Sequence, residues 1–211
     1  MTVEIIQRSA EWHAIRLGRL TASRIADATA RTKTGYSASR ANLLATLVTE
    51  RLTGQPQETY SNAAMQWGTE KEPDARALYS IMTGADVTEV GFFEHPTIAM
   101  AGASPDGLVG DDGLVELKCP SSAAHIDVLL HGAFDGKYIK QVQFQMACTG
   151  RAWVDLVSFD PRLPGDMQIF IKRIPRDDGM ITELEKEAVA FLREVDATVL
   201  ELTKKYRSEA A

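Results

Sequence analysis

The sequence predicts an α/β fold in which helices flank a central mixed β-sheet, and three observations support this class. Residues 9–83 carry apolar side chains mainly at helical spacing. Residues 87–118 carry short strand patterns separated by glycine-containing turns. Two further strand patterns then precede one long amphipathic helix pattern. The 211 residues, 45% of them hydrophobic, can bury a full core, so we expect residues 1–211 to form one domain.

The first third of the chain is predicted to be mostly helical, and this pattern continues to residue 83. Its helical ranges are 9–31, 38–53 and 62–83. Ser9 can cap the first helix, and Thr21 begins a second start signal, Thr-Ala-Ser. Gly54 ends the second range after a loop at 32–35. Pro73 lies inside the third range and predicts a kink or two consecutive helices there.

The rest of the chain alternates strands and helices. Its predicted elements are strands over 87–94 and 97–103, a hairpin over 106–118, helices over 121–132 and 137–149, strands over 152–159 and 167–174, and a last helix over 181–206. The hairpin turns between Gly110 and Gly113. The last helix repeats apolar residues every three or four positions, which is typical of an amphipathic helix packed on a core.

Composition excludes several classes of protein. No apolar run approaches the roughly 20 residues that span a bilayer, and the N-terminus lacks the apolar region of a secretory signal. Cys119 and Cys148 are the only cysteines, and their spacing is not that of metal ligands. These features indicate a reducing compartment, and we expect a cytoplasmic protein without a membrane partner.

The net charge of −6 is unevenly distributed along the chain. Residues 1–60 carry eight Lys or Arg against five acids, whereas residues 61–116 carry ten acids against two basic residues. Most such charges simply solvate a surface. The distribution nevertheless allows the first third to contact phosphates and the middle to hold cations.

The segment 104–120, SPDGLVGDDGLVELKCP, is the most informative stretch of the sequence. Glu116 and Lys118 are two residues apart, so on a strand their side chains leave the same face. With Asp106 on the preceding strand, they form a site for Mg²⁺, to which the Leu117 carbonyl adds an oxygen ligand. Magnesium at such a site can activate water for phosphodiester hydrolysis.

Other residues extend this chemistry. Glu72 is our choice for a third carboxylate, ahead of Glu70 and Asp74, although any one acid alone reads as a solvated surface group. Gln141 and Gln145 share a helix face and could orient water or a phosphate. One further group, at a helix start, could bind a phosphate or could simply cap the helix; it consists of Arg16, Thr21 and Ser23.

Five ordered motifs resemble those of the bacteriophage lambda exonuclease family, also called YqaJ-type viral recombinases. They are WHAIRLGRLTAS from residue 12, WGTEKEPDAR from residue 67, SPDGL from residue 104, ELKCP from residue 116 and QVQ from residue 141, with FDPR from residue 159 extending the likeness. The matches run from residue 12 to residue 146 with similar spacing throughout.

The resemblance implies a restriction-endonuclease-like core of the PD-(D/E)XK type, with the N-terminal helical region, residues 1–60, packed on it. It implies a Mg²⁺-dependent exonuclease, with Mn²⁺ as an alternative and two ions per site. Such an enzyme degrades one strand of linear double-stranded DNA from its 5′ end to mononucleotides, leaving a 3′ tail for recombination. It also implies a homotrimeric ring and a phage single-strand annealing protein as partner, inside a bacterial host.

The resemblance further implies roles for single residues. The implied metal ligands are Asp106, Glu116 and the Leu117 carbonyl; the other catalytic side chains are Lys118, Glu72 and Gln141; the 5′-phosphate pocket is Arg16, Thr21 and Ser23. Met65 falls where the family places a leucine wedge that parts the end base pair. Lys33 lies near an arginine that follows the duplex, in a shorter loop, and residues 97–103 lack an acid found in the lambda protein.

Two rival functions remain open from the sequence. One is a site- or structure-specific endonuclease on the same core, which would cut closed circular DNA. The other is a non-catalytic scaffold that binds DNA ends, against which the intact Asp106, Glu116 and Lys118 argue. Iron–sulfur-bearing relatives are disfavoured, because two cysteines cannot supply four thiolates.

Overall fold

The computed structural model describes residues 5–57 and 63–207, and the predicted α/β class is confirmed. The first helices are α1 (Ala10–Arg16), α2 (Ile25–Ala28) and α3 (Ala38–Thr53). Ser9 caps α1 as predicted, because its Oγ accepts a hydrogen bond from the Trp12 amide. The second start signal is shorter than predicted: β1 (Leu20–Thr21) and a 3₁₀ turn (Ala22–Arg24) precede the single turn of α2.

The next two helices follow the sequence pattern closely. Gly54 ends α3 with φ of 66°, a left-handed conformation that glycine adopts without steric cost. The following helix, α4 (Ala63–Thr83), continues through Pro73, so one helix is present where two were an open alternative. Proline fits the helical φ, although it removes one backbone donor. Residue 62, at the predicted start, lies outside the described residues.

The main sheet has five strands in the spatial order β10-β9-β8-β7-β4. They are β4 (Val87–Thr88), β7 (Gly107–Val109), β8 (Gly113–Lys118), β9 (Trp153–Phe159) and β10 (Ile169–Pro175). β8 and β9 are parallel, with Glu116 opposite Leu156, while every other neighbouring pair is antiparallel. The predicted mixed sheet and the predicted hairpin of β7 and β8 are therefore both confirmed.

The long strands predicted over 87–94 and 97–103 are wrong. Only short strands form there, and they belong to different sheets: β4 joins the main sheet, while β5 (Phe93–Glu94) and β6 (Ala101–Ala103) form a small sheet with β1. The N-terminal segment crosses the chain at Gly91, where a Cβ would lie 1.9 Å from the Ile5 carbonyl oxygen. The predicted loop at 32–35 is instead a small hairpin of β2 (Arg31–Thr32) and β3 (Gly35–Tyr36).

The remaining helices match their predicted ranges, and one of them connects two of the three hydrophobic clusters of the core. They are α5 (Ser122–His131), α6 (Gly136–Thr149) and α7 (Asp178–Arg207). On α6, Phe144 packs in a cluster with residues of α3 and α7, whereas Val142 and Met146 pack with Leu114 and Leu156 of the sheet. Burial on both sides fixes α6 between the helical layer and the sheet.

A buried polar contact fixes α4 to the sheet. The Tyr79 hydroxyl donates to Asp155 Oδ2 over 2.8 Å, and the Arg173 guanidinium donates to both oxygens of Asp155 over 2.8 Å. This pairing satisfies a carboxylate that would otherwise be costly inside β9. Across the described ranges, no helix is long and apolar enough to span a membrane.

Candidate active site

Asp106 and Glu116 lie on neighbouring segments of the β7–β8 hairpin and line one cleft of about 200 Å³, as the sequence predicts. Asp106 directly precedes β7, and its Oδ2 accepts a hydrogen bond from the Leu117 amide over 2.7 Å. Within residues 5–57 and 63–207, no hydrogen bond reaches its other oxygen. The hairpin thus brings two carboxylates and the Leu117 peptide group into one place.

Three side chains hold the Glu116 carboxylate. Lys118 Nζ and Gln141 Nε2 both donate to Oε1 over 2.6 Å, and Gln145 Nε2 donates to Oε2 over 2.6 Å. Lys118 also donates to Gln141 Oε1 over 3.3 Å. The shared face predicted for Glu116 and Lys118 is confirmed, and Glu116 is left with a fixed orientation.

The electrostatics of the cleft favour a bound cation. Burial raises the pKa of Asp106 well above its ordinary value, and the negative charges of Glu116 and Glu72 raise it further. Burial alone would lower the pKa of Lys118, but Glu116 and Asp106 outweigh it, so that pKa is raised. Lys118 is therefore an ammonium at neutral pH, while an ionised Asp106 needs additional positive charge nearby.

The donor set of this cleft fits Mg²⁺. Across the described residues, no three His, Cys, Asp or Glu side chains converge on one point. Mg²⁺ nevertheless needs only one or two carboxylates, since waters and substrate phosphates complete its shell. Asp106, whose Oδ1 accepts no hydrogen bond within the described ranges, and Glu116 could supply that pair.

Glu72 is close to the cleft but faces two arginines. Its Oε2 contacts Arg8 Nη2, and its Oε1 accepts from Arg76 Nη2 over 3.0 Å. Glu72 lines a neighbouring cavity together with Arg8, not the cleft of Asp106 and Glu116. It still influences the cleft, because its charge contributes to the raised pKa of Asp106.

Arg16 forms the other end of the same cleft. Its guanidinium donates to Ser104 Oγ over 3.1 Å and lies 4.0 Å from the centre of the Trp12 ring. Trp12 Nε1 donates to the same oxygen over 2.9 Å, and Ser23 also lines the cleft. An arginine and two hydroxyls therefore line the same cavity as the carboxylates, which is an arrangement suited to a phosphate.

Thr21 lies next to Ser23 and lines a second cavity beside the cleft. It is buried, its hydroxyl lies 3.2 Å from Ser23 Oγ, and it lines a larger cavity of about 490 Å³ that also borders Arg16. Arg24 lines this cavity too. Burial, with a smaller effect from the like charge of Arg24, lowers the pKa of Arg16 to about 10. The larger cavity is therefore lined by positive charges, among them those of Arg16 and Arg24, which a bound anion would stabilise.

Two candidates from the sequence, Met65 and Lys33, lie outside the cleft. Met65 lies on the first turn of α4 and exposes 55% of its surface, as a wedge would need to. Lys33 lies at the exposed turn between β2 and β3. Neither residue lines the cleft of Asp106 and Glu116.

Among the residues of the cleft, sequence reasoning gave no role to Ser104 or Arg8, and it named Gln145 only as sharing a helix face with Gln141. Ser104 belongs to a quoted motif, but a serine before proline carries no signal of its own. Gln145 shares its helix face with Gln141, yet the motif that assigns a catalytic role ends at residue 143. Arg8 had no signal at all, because its contact with Glu72 spans 64 residues of chain.

The chain is similar to known proteins in both sequence and fold. Residues 11–152 match the family model described as the YqaJ-like viral recombinase domain. The crystal structure of an alkaline exonuclease from Laribacter hongkongensis, LHK-Exo, is 55% identical, with a TM-score of 0.90 over 96% of this chain and 100% of that one. A crystal structure of LHK-Exo in complex with dAMP gives the same values. No curated protein matches the chain in sequence.

A more distant structure supports the fold alone. A phage-related exonuclease from Haemophilus somnus 129PT is 15% identical, with a TM-score of 0.73 over 87% of this chain and 96% of that one. The PD-(D/E)XK-like fold that the resemblance implied is thereby confirmed. The family match covers well over half of the sequence, from α1 to the residue before β9. The chain therefore belongs to the YqaJ-like viral recombinase family.

Proposed function

We propose that this protein is a Mg²⁺-dependent 5′-to-3′ exonuclease of linear double-stranded DNA. One observation carries the proposal: Asp106, Glu116 and Lys118 lie in the same cleft as Arg16, Ser23 and Ser104. The first group suits hydrolysis of a phosphodiester, and the second suits the phosphate at the end of a strand. Membership of a recombinase family, and likeness to an alkaline exonuclease, support a DNA exonuclease that acts in recombination.

The carboxylates would hold the metal. When bound, Mg²⁺ lowers the pKa of its water and neutralises charge that develops on the phosphate. Asp106 and Glu116, with the Leu117 carbonyl, are the residues that would hold it. Gln141 and Gln145 fix both oxygens of Glu116, so the ligand does not have to reorganise when the metal and DNA arrive. Mn²⁺ is an alternative ion, and a second ion per site is also proposed.

Lys118 acts as a charge stabiliser in this mechanism. Its pKa is raised, so the ammonium stays protonated and is a poor general base. Its amine already touches Glu116 and Gln141, which aims it into the cleft. From there it can hold the attacking water or donate to a phosphate oxygen as negative charge accumulates.

The second half of the cleft would set the polarity of digestion. A 5′-terminal phosphate carries more charge than an internal phosphodiester, and the Arg16 guanidinium can bind it with two donors. With the terminal phosphate held there, the next phosphodiester is the one presented to the carboxylates, and a mononucleotide is released. The complex of LHK-Exo with dAMP supports a mononucleotide product.

The wider setting is also proposed. Residues 1–211 would act as one nuclease domain, three copies would surround the duplex, and a phage annealing protein would receive the 3′ tail in the host cytoplasm. A ring would give processivity without strong electrostatic attraction, which suits a chain of net charge −6. A DNA trap tests the ring, since a ring enzyme should finish a duplex that it has begun before the trap captures it.

Linear duplex labelled at either terminus tests the main proposal. With Mg²⁺, label at the 5′ end should appear first as a mononucleotide, while a chelator should prevent release. Closed circular plasmid should survive, and cutting of it would favour the endonuclease. If the parent protein binds DNA ends but digests none, and Lys118→Ala behaves in the same way, the result would favour a non-catalytic scaffold that binds DNA ends.

A further inference from the structure

The N-terminal segment 5–8 is fastened to the loop that carries the catalytic aspartate. Gln7 Nε2 donates to the Pro105 carbonyl over 2.7 Å and to the Val90 carbonyl over 2.8 Å. Ile5 packs so closely on Gly91 that only a glycine fits there. The segment therefore has a fixed position directly beside Asp106.

Arg8 is held by this segment in an unusual backbone conformation. Its φ is 67°, in the left-handed region that residues other than glycine seldom adopt. Such a conformation persists where surrounding contacts determine it, and these conformations are concentrated at functional sites. The anchoring of Gln7 on one side and the Ser9 cap of α1 on the other supply those contacts.

The Arg8 side chain lies between two cavities. It lines the cleft that contains Asp106, Glu116 and Lys118, and it also lines the neighbouring cavity that contains Glu72. Its guanidinium contacts Glu72 Oε2, yet 46% of the side chain is exposed. A half-exposed arginine at the rim of a phosphate-sized cleft can reach a ligand that enters it.

Glu72 does not depend on Arg8 alone. Arg76, four residues along α4, holds the other oxygen of Glu72, and it also pairs with Glu89 over 2.9 Å. If Arg8 moved away, Glu72 would keep one charged partner and its place on the helix. Exchange of one carboxylate for one phosphate therefore leaves no buried charge unpaired.

We propose that Arg8 is a DNA-binding residue of the active site that exchanges Glu72 for a backbone phosphate when a strand enters the cleft. The exchange frees Glu72 Oε2 at the moment the substrate is in place. In the DNA-free protein the same contact neutralises Glu72 beside two other carboxylates. This inference rests on the proposed exonuclease function and adds a residue to its substrate site.

Binding of a 5′-phosphorylated duplex end in chelator tests the exchange, with fluorescence anisotropy as the readout over a series of salt concentrations. Arg8→Gln should weaken binding about tenfold, and the slope of log K against log salt should fall by about one. Arg8→Lys should keep the slope and lose some of the affinity, since it retains the charge without the planar donors. The control, Lys186→Gln, removes one charge from an exposed pair on α7 and should change little.

A double variant separates the exchange from general electrostatics. Glu72→Gln should tighten metal-free binding several-fold, because Arg8 is no longer held back. If the exchange is correct, this gain disappears when Glu72→Gln is combined with Arg8→Gln. A gain that survives in the double variant, or parent-like binding by Arg8→Gln and Arg8→Lys, would overturn the proposal.

The parent protein keeps the two proposals distinguishable. Failure of the parent to bind and digest duplex ends would remove the exonuclease function itself. Normal digestion by the parent, together with unchanged binding by the Arg8 variants, would remove only the role of Arg8.

Discussion

Gln145 Nε2 donates to Glu116 Oε2 over 2.6 Å, one helical turn beyond the bond from Gln141 to Oε1. Both glutamines belong to α6, and Glu116 belongs to β8, so the Glu116 carboxylate links this helix to the sheet through hydrogen bonds. Gln145 Oε1 is buried and has no partner among the described residues. Gln145 thus belongs to the proposed metal site, although the resemblance implied a catalytic role only for Gln141.

Gln145→Ala should lower kcat by about 10- to 100-fold, which is typical of residues that orient a metal ligand. One oxygen of Glu116 loses its donor, and the carboxylate gains freedom to turn. Steady-state digestion of linear duplex at several Mg²⁺ concentrations is the measurement.

Gln143→Ala is the matched control for this prediction. Gln143 lies on the same helix and is also buried, but it bonds to the backbone at Pro175 and Asp177. Its loss should cost stability of about 1–3 kcal/mol and leave kcat per folded molecule unchanged. Equal effects of the two substitutions on kcat would assign Gln145 a purely structural role.

Lys118→Ala should abolish digestion while DNA-end binding stays within a few-fold of the parent. The ammonium is expected to act on charge that appears during the reaction, and Arg16 carries the end recognition. A gel-shift assay beside a digestion assay compares the two properties. Turnover retained by Lys118→Ala would exclude the lysine from the mechanism.

Arg16→Ala should erase the preference for a 5′-phosphorylated end over a 5′-hydroxyl end. Ser104→Ala should reduce the preference less, because the serine accepts from Arg16 and Trp12 and is one neutral contact. The ratio of kcat/KM for the two ends measures the effect. A parent enzyme that ignores the terminal phosphate would show that the pocket binds something else.

Asp106→Asn should stabilise the metal-free protein by roughly 1 kcal/mol at pH 8 while removing activity. The pKa of Asp106 is raised, so the ionised form costs stability above the ordinary pKa of aspartate, near 4. The gain should therefore vanish as the pH is lowered toward 4. Denaturant unfolding at both pH values tests this, with the exposed loop variant Asp111→Asn expected to show no such pattern.

Magnesium binding should strengthen as the pH rises through the raised pKa of Asp106. The metal takes the anionic carboxylate, so protons compete with it below that pKa, by up to tenfold per pH unit. The Mg²⁺-induced shift in Tm, measured over a pH series that starts at the ordinary pKa of aspartate, near 4, and runs to the alkaline limit of the folded protein, reports this without relying on activity. A shift that is constant over the whole series would show that Asp106 does not bind the ion.

Local sequence patterns were enough to predict the hairpin of β7 and β8. Gly110 and Gly113 mark its turn, and the two-residue spacing of Glu116 and Lys118 sets their common face, both of which are properties of a few neighbouring residues. The α3 helix and its glycine end were predicted for the same reason. The five motifs then supplied a set of candidate site residues that no single pattern would have grouped.

Contacts between distant segments were not predictable from such patterns. The strand pattern at 87–94 is interrupted by the crossing of Ile5 at Gly91, which separates β4 from β5. The bonds of Glu72 with Arg8 and of Arg16 with Ser104 span 64 and 88 residues, and a single sequence carries no record of such pairs. The sequence placed Arg16, Thr21 and Ser23 around one helix start, but it could not show that Thr21 and Ser23, whose hydroxyls lie 3.2 Å apart, line different cavities.

Helix α6 packs its apolar residues into two of the three hydrophobic clusters and carries the two glutamines that hold Glu116. Loosening this helix would therefore disrupt the interior of the protein and the proposed hydrolytic centre together. The amide protons of α6 should be among the last to exchange with deuterium, and the centre should stay assembled until the whole molecule unfolds.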